Sequence, residues 1–154
     1  MTDTNRTGSE AKLFIPALGG LYCCGREAAY PLLRVVAGGF MIPHGWGKLF
    51  GGTDGTAQFF SSIGLEPAHL LAIVAGSQEV LGGLCIALGL LTRFWAAGAV
   101  ILLGVAVFQF HWPNGFSAGA GGYEYAAFWM VVMIFIFFRG GGRISIDRVI
   151  GREL

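Results

Sequence analysis

One stretch, Arg34-Val-Val-Ala-Gly-Gly-Phe-Met-Ile-Pro-His44-Gly-Trp-Gly-Lys48, constrains what the chain can become. Wound as a helix at about 100° per residue, it brings Arg34, Met41, His44 and Lys48 within about a quarter-turn of one face. Apolar side chains cover the other faces. A helix of a water-soluble domain does not need that much apolar surface. A plain membrane anchor does not carry a basic stripe. Charges at membrane depth cost about 2.5–3.5 kcal/mol each on insertion scales, so these side chains need partners from elsewhere in the chain.

Composition agrees. The chain is 55% hydrophobic and 12% charged, where soluble domains average about 25% charged residues. With 154 residues, one domain is expected. Its class is all-α: an integral membrane, antiparallel four-helix bundle. A net charge of +1 leaves no basic field for nucleic acid. Three cysteines supply neither a disulfide framework nor metal-ligand spacing. No secretory signal is expected, because the first apolar run holds Pro16 and Gly19-Gly20 and lacks a cleavage site.

In chain order, residues 1–29 read as a polar tail and a membrane-surface segment, too interrupted by Pro16, Gly19, Gly20 and Gly25 to span. Cys23 and Cys24 lie there as small interfacial residues, with a redox role or reversible acylation as alternatives. Residues 30–138 form the bundle, with spans at about 30–50, 68–91, 93–110 and 123–138. A hydrocarbon core about 30 Å thick needs roughly 20 apolar residues, so the third and fourth are near the short end. A turn at 51–55, a short amphipathic helix at 56–67 and a loop at 112–122 connect them. Residues 139–154 form an amphipathic tail. Glycines end the fourth helix there, Ser145 caps a short helix with Asp147 in its first turn, and Ile146, Val149 and Ile150 face the membrane surface.

Arg6, Lys12, Arg26, Arg34, Arg93, Arg139, Arg143, Arg148 and Arg152 fall on one side of this arrangement, and Lys48 falls on the other. The positive-inside rule then puts both termini in the cytoplasm. Trp46 and Trp112 belong to the outer aromatic belt and Trp95 to the inner one.

Glu79 lies near the middle of the second span. Ala72, Ala75, Gly76, Gly82 and Gly83 surround it at helical spacing, and small residues let helices approach closely in lipid. Glu79 therefore points into the bundle, where Arg34 is its expected partner. A static pair is one reading; a proton-accepting or ligand-facing carboxylate is the other. His44, Lys48, His111 and Glu124 come from three helices at similar depth, with Gln109 nearby. They would line a polar cavity on the outer side, or act as separate interfacial contacts. His69 reads as a helix-start residue. Haem between His44 and His111 is not expected, since each lies beside a turn or proline and no Cys-x-x-Cys-His motif occurs. The donors are too few for zinc, and no metal is expected.

These pieces together resemble the DoxX family of small four-helix bacterial membrane proteins. The resemblance rests on Arg34, His44-Gly-Trp-Gly-Lys48-Leu49, Glu79-Val-Leu-Gly82-Gly83, Gly89 with Thr92-Arg93, His111, Gly122-Tyr-Glu124 and Gly142-Arg-Ile-Ser-Ile-Asp147. The tail has Gly-Gly-Gly-Arg where the family often has Gly-Pro-Gly-Arg. The resemblance implies a bacterial cytoplasmic (inner) membrane location. Some members look like subunits of quinone-linked oxidoreductases, and others resemble scaffolds joining redox enzymes. The expected function is a redox-associated subunit, with lipid around it and other membrane or redox subunits, or further copies of itself, as partners. His44 or Lys48 would donate to a quinone carbonyl and Glu79 would move protons. A non-catalytic assembly subunit is the alternative. A small-solute permease ranks third, because broken-helix repeats are absent.

Overall fold

A computed structural model describes residues 13–153, and these residues form helices and connecting turns without a strand. A 3-10 turn at Pro16–Leu18 leads into α1, Gly19–Leu49. The expected break before Tyr30 does not occur. Gly20, Gly25 and Pro31 all lie inside α1. An interior glycine costs only about 1 kcal/mol, and an interior proline can be carried where flanking turns persist. Residues 20–29 are nevertheless exposed throughout, so this part of α1 projects as an arm.

Helix α2, Thr53–Ser62, follows a glycine turn, and the Thr53 hydroxyl ties it back to α1 by donating to the Lys48 carbonyl at 2.6 Å. Helix α3, Ala68–Leu88, starts after Pro67, where Glu66 accepts from the Ala68 amide at 2.8 Å. It ends at Gly89, whose left-handed φ of 74° lets the Leu90 amide reach the Cys85 carbonyl at 2.9 Å. Helix α4, Thr92–Asn114, runs further than its apolar pattern suggests. Each of α3 and α4 contains a π-helical turn, at Gln78–Gly82 and Ala106–His111 respectively. Helix α5 is Glu124–Arg139 and α6 is Ile146–Ile150. Ser145 caps α6 as expected, accepting from the Arg148 amide at 3.2 Å.

Two helices, α3 and α4, are long and apolar enough to cross a membrane. Helix α5 has 16 residues, and α1 carries Arg34, His44 and Lys48. Many large apolar side chains face outward, among them Leu70, Ile101, Phe128 and Val131. A water-soluble monomer rarely exposes so much contiguous apolar surface.

Small residues set the helix contacts. Helices α1 and α3 run antiparallel with Gly38 against Gly83 and Gly45 against Gly76 and Glu79. A methyl group on Gly45 would lie 2.6 Å from the Gly76 carbonyl oxygen. Such close approach is how helices associate in lipid, where dispersion contacts carry the association. Gln78 links α3 to α4 by donating to the Trp95 carbonyl at 2.9 Å. The core gathers Ala37, Ile86, Ala96, Ala99, Met133 and Ile136 from α1, α3, α4 and α5.

Candidate functional site

Glu79 sits in the π-helical turn of α3 and is buried. Both of its carboxylate oxygens accept from Lys48 Nζ, at 2.6 and 2.7 Å. The expected Arg34–Glu79 pair is therefore corrected to Lys48–Glu79. The reason is register. Gly45 packs on Glu79, so Lys48 is one helical turn away, whereas Arg34 lies eleven residues back, roughly 16 Å along the axis at 1.5 Å per residue.

Next to this pair is a cavity of about 220 Å³ between α1, α3, α4 and α5. Its walls are apolar: Ala37, Met41, Leu102, Leu103, Ala106, Ala126 and Met133. His44, Glu79, His111 and Tyr125 add polar atoms. Phe40 and Tyr125 on the cavity wall are 55% and 53% exposed, which puts a mouth between α1 and α5. Trp129 stands between them, its ring 5.8 Å from Phe40 and 6.1 Å from Tyr125. A second chamber of about 540 Å³ lies beneath α2 and is lined by Lys48, Thr56, Phe59 and Phe60. Glu79, Leu102, Leu103, Ala106 and His111 border both chambers and so form the partition.

Both polar members of the partition stand on π-helical turns, Glu79 at 78–82 and His111 at 106–111. An extra residue in one turn swings the following side chains around the axis, and such bulges recur at functional sites. His111 Nδ1 faces the Gly121 carbonyl at 2.7 Å. With Nδ1–H donating there, a neutral ring presents Nε2 as an acceptor. His44 is exposed and forms no hydrogen bond with the described residues.

Of the six residues expected to cluster, His44, Lys48, Glu79 and His111 meet here; Arg34 and Glu124 do not. Glu124 opens α5, and its carboxylate accepts from the Ala118 amide at 3.1 Å, closing the preceding loop on itself. Gln109 is exposed and lines neither chamber. His69 lies on the surface, 3.4 Å from Asp54. Tyr125, Trp129 and Met133 are part of the cavity but went unnoticed in the sequence. Helical spacing from Glu124 carries the signal, since 125, 129 and 133 lie on one face.

Arg34 belongs to a separate centre. It is 2% exposed and donates to the carbonyls of Gly141, Ile144 (2.7 Å) and Ala87 (3.4 Å). Beside it, buried Asp147 accepts from the Leu91 amide at 2.7 Å, the Thr92 amide at 3.0 Å and the Thr92 hydroxyl at 2.8 Å. Leu91 has a left-handed φ of 47°, a costly conformation for a branched side chain, and these bonds hold it. The tail is thus a clamp on the α3–α4 turn. Cys23 and Cys24 are free and exposed.

Fold and surface define a membrane protein built of packed helices around an apolar cavity with a polar partition. The chain belongs to the DoxX family, whose model matches residues 30–112. That match includes His44, Lys48, Glu79 and His111 and stops short of Glu124 and the clamp. The "Inner membrane protein YphA" of Escherichia coli is 34% identical over 131 residues, covering 79% of this chain and 92% of the relative. An uncharacterized protein of Haemophilus influenzae is 30% identical over 93 residues, covering 60% and 62%. The "Putative oxidoreductase CatD" of Bacillus subtilis is 45% identical over 62 residues, covering 40% and 44%. The chain thus spans about three-fifths of the Haemophilus relative and under half of the Bacillus one. No solved structure matches.

Proposed function

We propose that this protein is a redox-associated subunit of the bacterial inner membrane that takes the ring of a quinone into the cavity between α1 and α5. In this reading α1, α3, α4 and α5 all cross the bilayer as an antiparallel four-helix bundle, with both termini cytoplasmic. The observation that carries it is the 220 Å³ cavity, apolar on its walls, polar at the partition and open between α1 and α5. Drug-sized ligands need roughly 300–1,000 Å³. The volume therefore suits a single ring head whose apolar tail stays in lipid. His44 and Tyr125 would donate to a carbonyl oxygen, and apolar walls would exclude water from the ring. A bound quinone supplies two-electron, two-proton chemistry. Glu79 and His111 would hold and exchange protons at the partition, with Lys48 as the counter-charge on its far side. The name of the Bacillus relative supports the redox reading.

The test is native mass spectrometry after gentle extraction from the native membrane. One quinone mass per chain is expected. Ala126→Phe, which fills the cavity from α5, is expected to abolish it without loss of helix content by circular dichroism. Chains that carry no quinone, or an Ala126→Phe variant that keeps it, would sink the proposal.

A second reading, a non-catalytic assembly subunit, is favoured by the arm at residues 20–29. Leu21 and Tyr22 are exposed there on a helix that none of the described residues covers. Stoichiometric protein partners that survive extraction, and that fall away when Leu21 and Tyr22 become serine, would support it.

A further inference from the structure

At the end of the molecule opposite the Lys48–Glu79 pair, a depression of about 530 Å³ is lined by Arg139, Arg143, Arg148 and Arg152, with Asp147 and Glu153. These are four of the ten basic residues of the chain. They come from the end of α5, the turn after it, the middle of α6 and the residues just beyond it. A basic flank that served only topology would scatter its arginines; here they share one concavity.

The acids do not neutralise it. Both Asp147 oxygens are taken by Leu91 and Thr92. Glu153 lines the basin, but its carboxylate lies 3.5 Å from Arg93, which is not part of the lining. Arg143 is paired with Glu27, and Arg139 lies over the Tyr30 ring, 5.4 Å from its centroid. Arg148 and Arg152 have no carboxylate partner among the described residues. Each lining arginine has an exposed apolar neighbour within two residues along the chain, Phe138, Ile144, Val149 or Ile150, and these supply an apolar rim. An anion dissolved in water would gain nothing from that rim; one attached to acyl chains would.

We infer that this basin binds the phosphate-bearing headgroup of an anionic phospholipid. Arg148 and Arg152 meet the phosphate, and the apolar rim meets the first carbons of the acyl chains. Guanidinium groups suit the task because their forked N–H donors match phosphate oxygens. The inference rests on the membrane-spanning reading and is independent of the quinone.

The experiment uses full-length protein in phosphatidylcholine nanodiscs doped with phosphatidylglycerol, with retained lipid read by native mass spectrometry. Phosphatidylglycerol is expected to be retained over phosphatidylcholine. A basic side chain near an anionic surface contributes about 1 kcal/mol, or about fivefold. The double variant Arg148→Gln/Arg152→Gln is thus expected to lower the preference about 20–30-fold. Arg148→Lys/Arg152→Lys is expected to keep part of it. Arg26→Gln, exposed but outside the basin, is expected to keep it all. Equal retention of both lipids, or an unchanged preference in the double glutamine variant, would overturn the inference. So would displacement of the lipid by inorganic phosphate at constant ionic strength, which would assign the basin to a soluble phosphate. The quinone mass is read in the same spectra, so failure of either reading is seen separately.

Discussion

Removing Lys48 is the sharpest test of the site's electrostatics. In Lys48→Met the two charge-assisted bonds at 2.6 and 2.7 Å disappear, and Glu79 is left without a cation. Breaking a fully buried pair costs about 3–5 kcal/mol, and an exposed pair contributes at most about 1 kcal/mol. The Glu79 side chain is 11% exposed and that of Lys48 28%, so the pair lies between those limits. Discounted for the solvent reaching Lys48, the expected loss is about 2 kcal/mol. For a chain of this size that is about 4–8 °C in Tm. The order of variants says more than any single value. Glu79→Leu should cost less than Lys48→Met, because an unpaired lysine can extend to water while an unpaired carboxylate stays in the partition. The double variant Lys48→Met/Glu79→Leu should recover most of the loss, since apolar replacement of a buried pair is often neutral. Tryptophan fluorescence during heating in mild detergent reads all four proteins. If the two single losses simply add in the double variant, the pair is not coupled and the reasoning fails.

Three further outcomes follow from the packing. Gly45→Ala should push α1 off α3 and cost about 1–3 kcal/mol as overpacking does, seen as a lower melting temperature; an unchanged melt would refute the close contact. Asp147→Ala strips the acceptor from three donors around Leu91 and should open the α3–α4 turn, which limited proteolysis near residues 89–92 would detect. Glu66 has its carboxyl held below the usual range, first by the Ser61 hydroxyl and then by the Ala68 amide. Its contribution to stability is full above the ordinary carboxylate pKa and fades as pH falls through the depressed value. Glu66→Gln should remove that part of the acid response, checked by following the Glu66 carboxyl carbon by NMR and the melt across the same pH range.

The helical character, the small-residue face around Glu79 and the Ser145 cap were all legible, because each is a local pattern in one segment. Glu79's partner was not. It depends on how far α1 slides along α3, and that register is set by Gly45 meeting Gly76, a contact between two segments. The π-helical turns were equally hidden, since no residue type marks an inserted residue in a helix. The span pattern puts Glu124 at the depth of His111, but its loop folds back and claims the carboxylate. Arg34 was legible as a buried charge in need of partners. Those partners turned out to be backbone carbonyls of the tail, a type of acceptor that every residue carries and no pattern distinguishes.

The clamp also orders events in time. Arg34 donates to carbonyls 107 and 110 residues further along the chain, and the strained turn at Leu91 relies on Asp147. A ribosome makes α1 and the α3–α4 turn long before those acceptors exist. Until residues 141–147 emerge, the guanidinium at the helix junction has only the long 3.4 Å bond to the Ala87 carbonyl, and two turn amides have no side-chain acceptor. Helices already inserted are then held in a provisional packing that the tail completes. Chains stopped after Arg139 would contain all four long helices and still lack the Gly141 and Ile144 acceptors that satisfy the buried guanidinium.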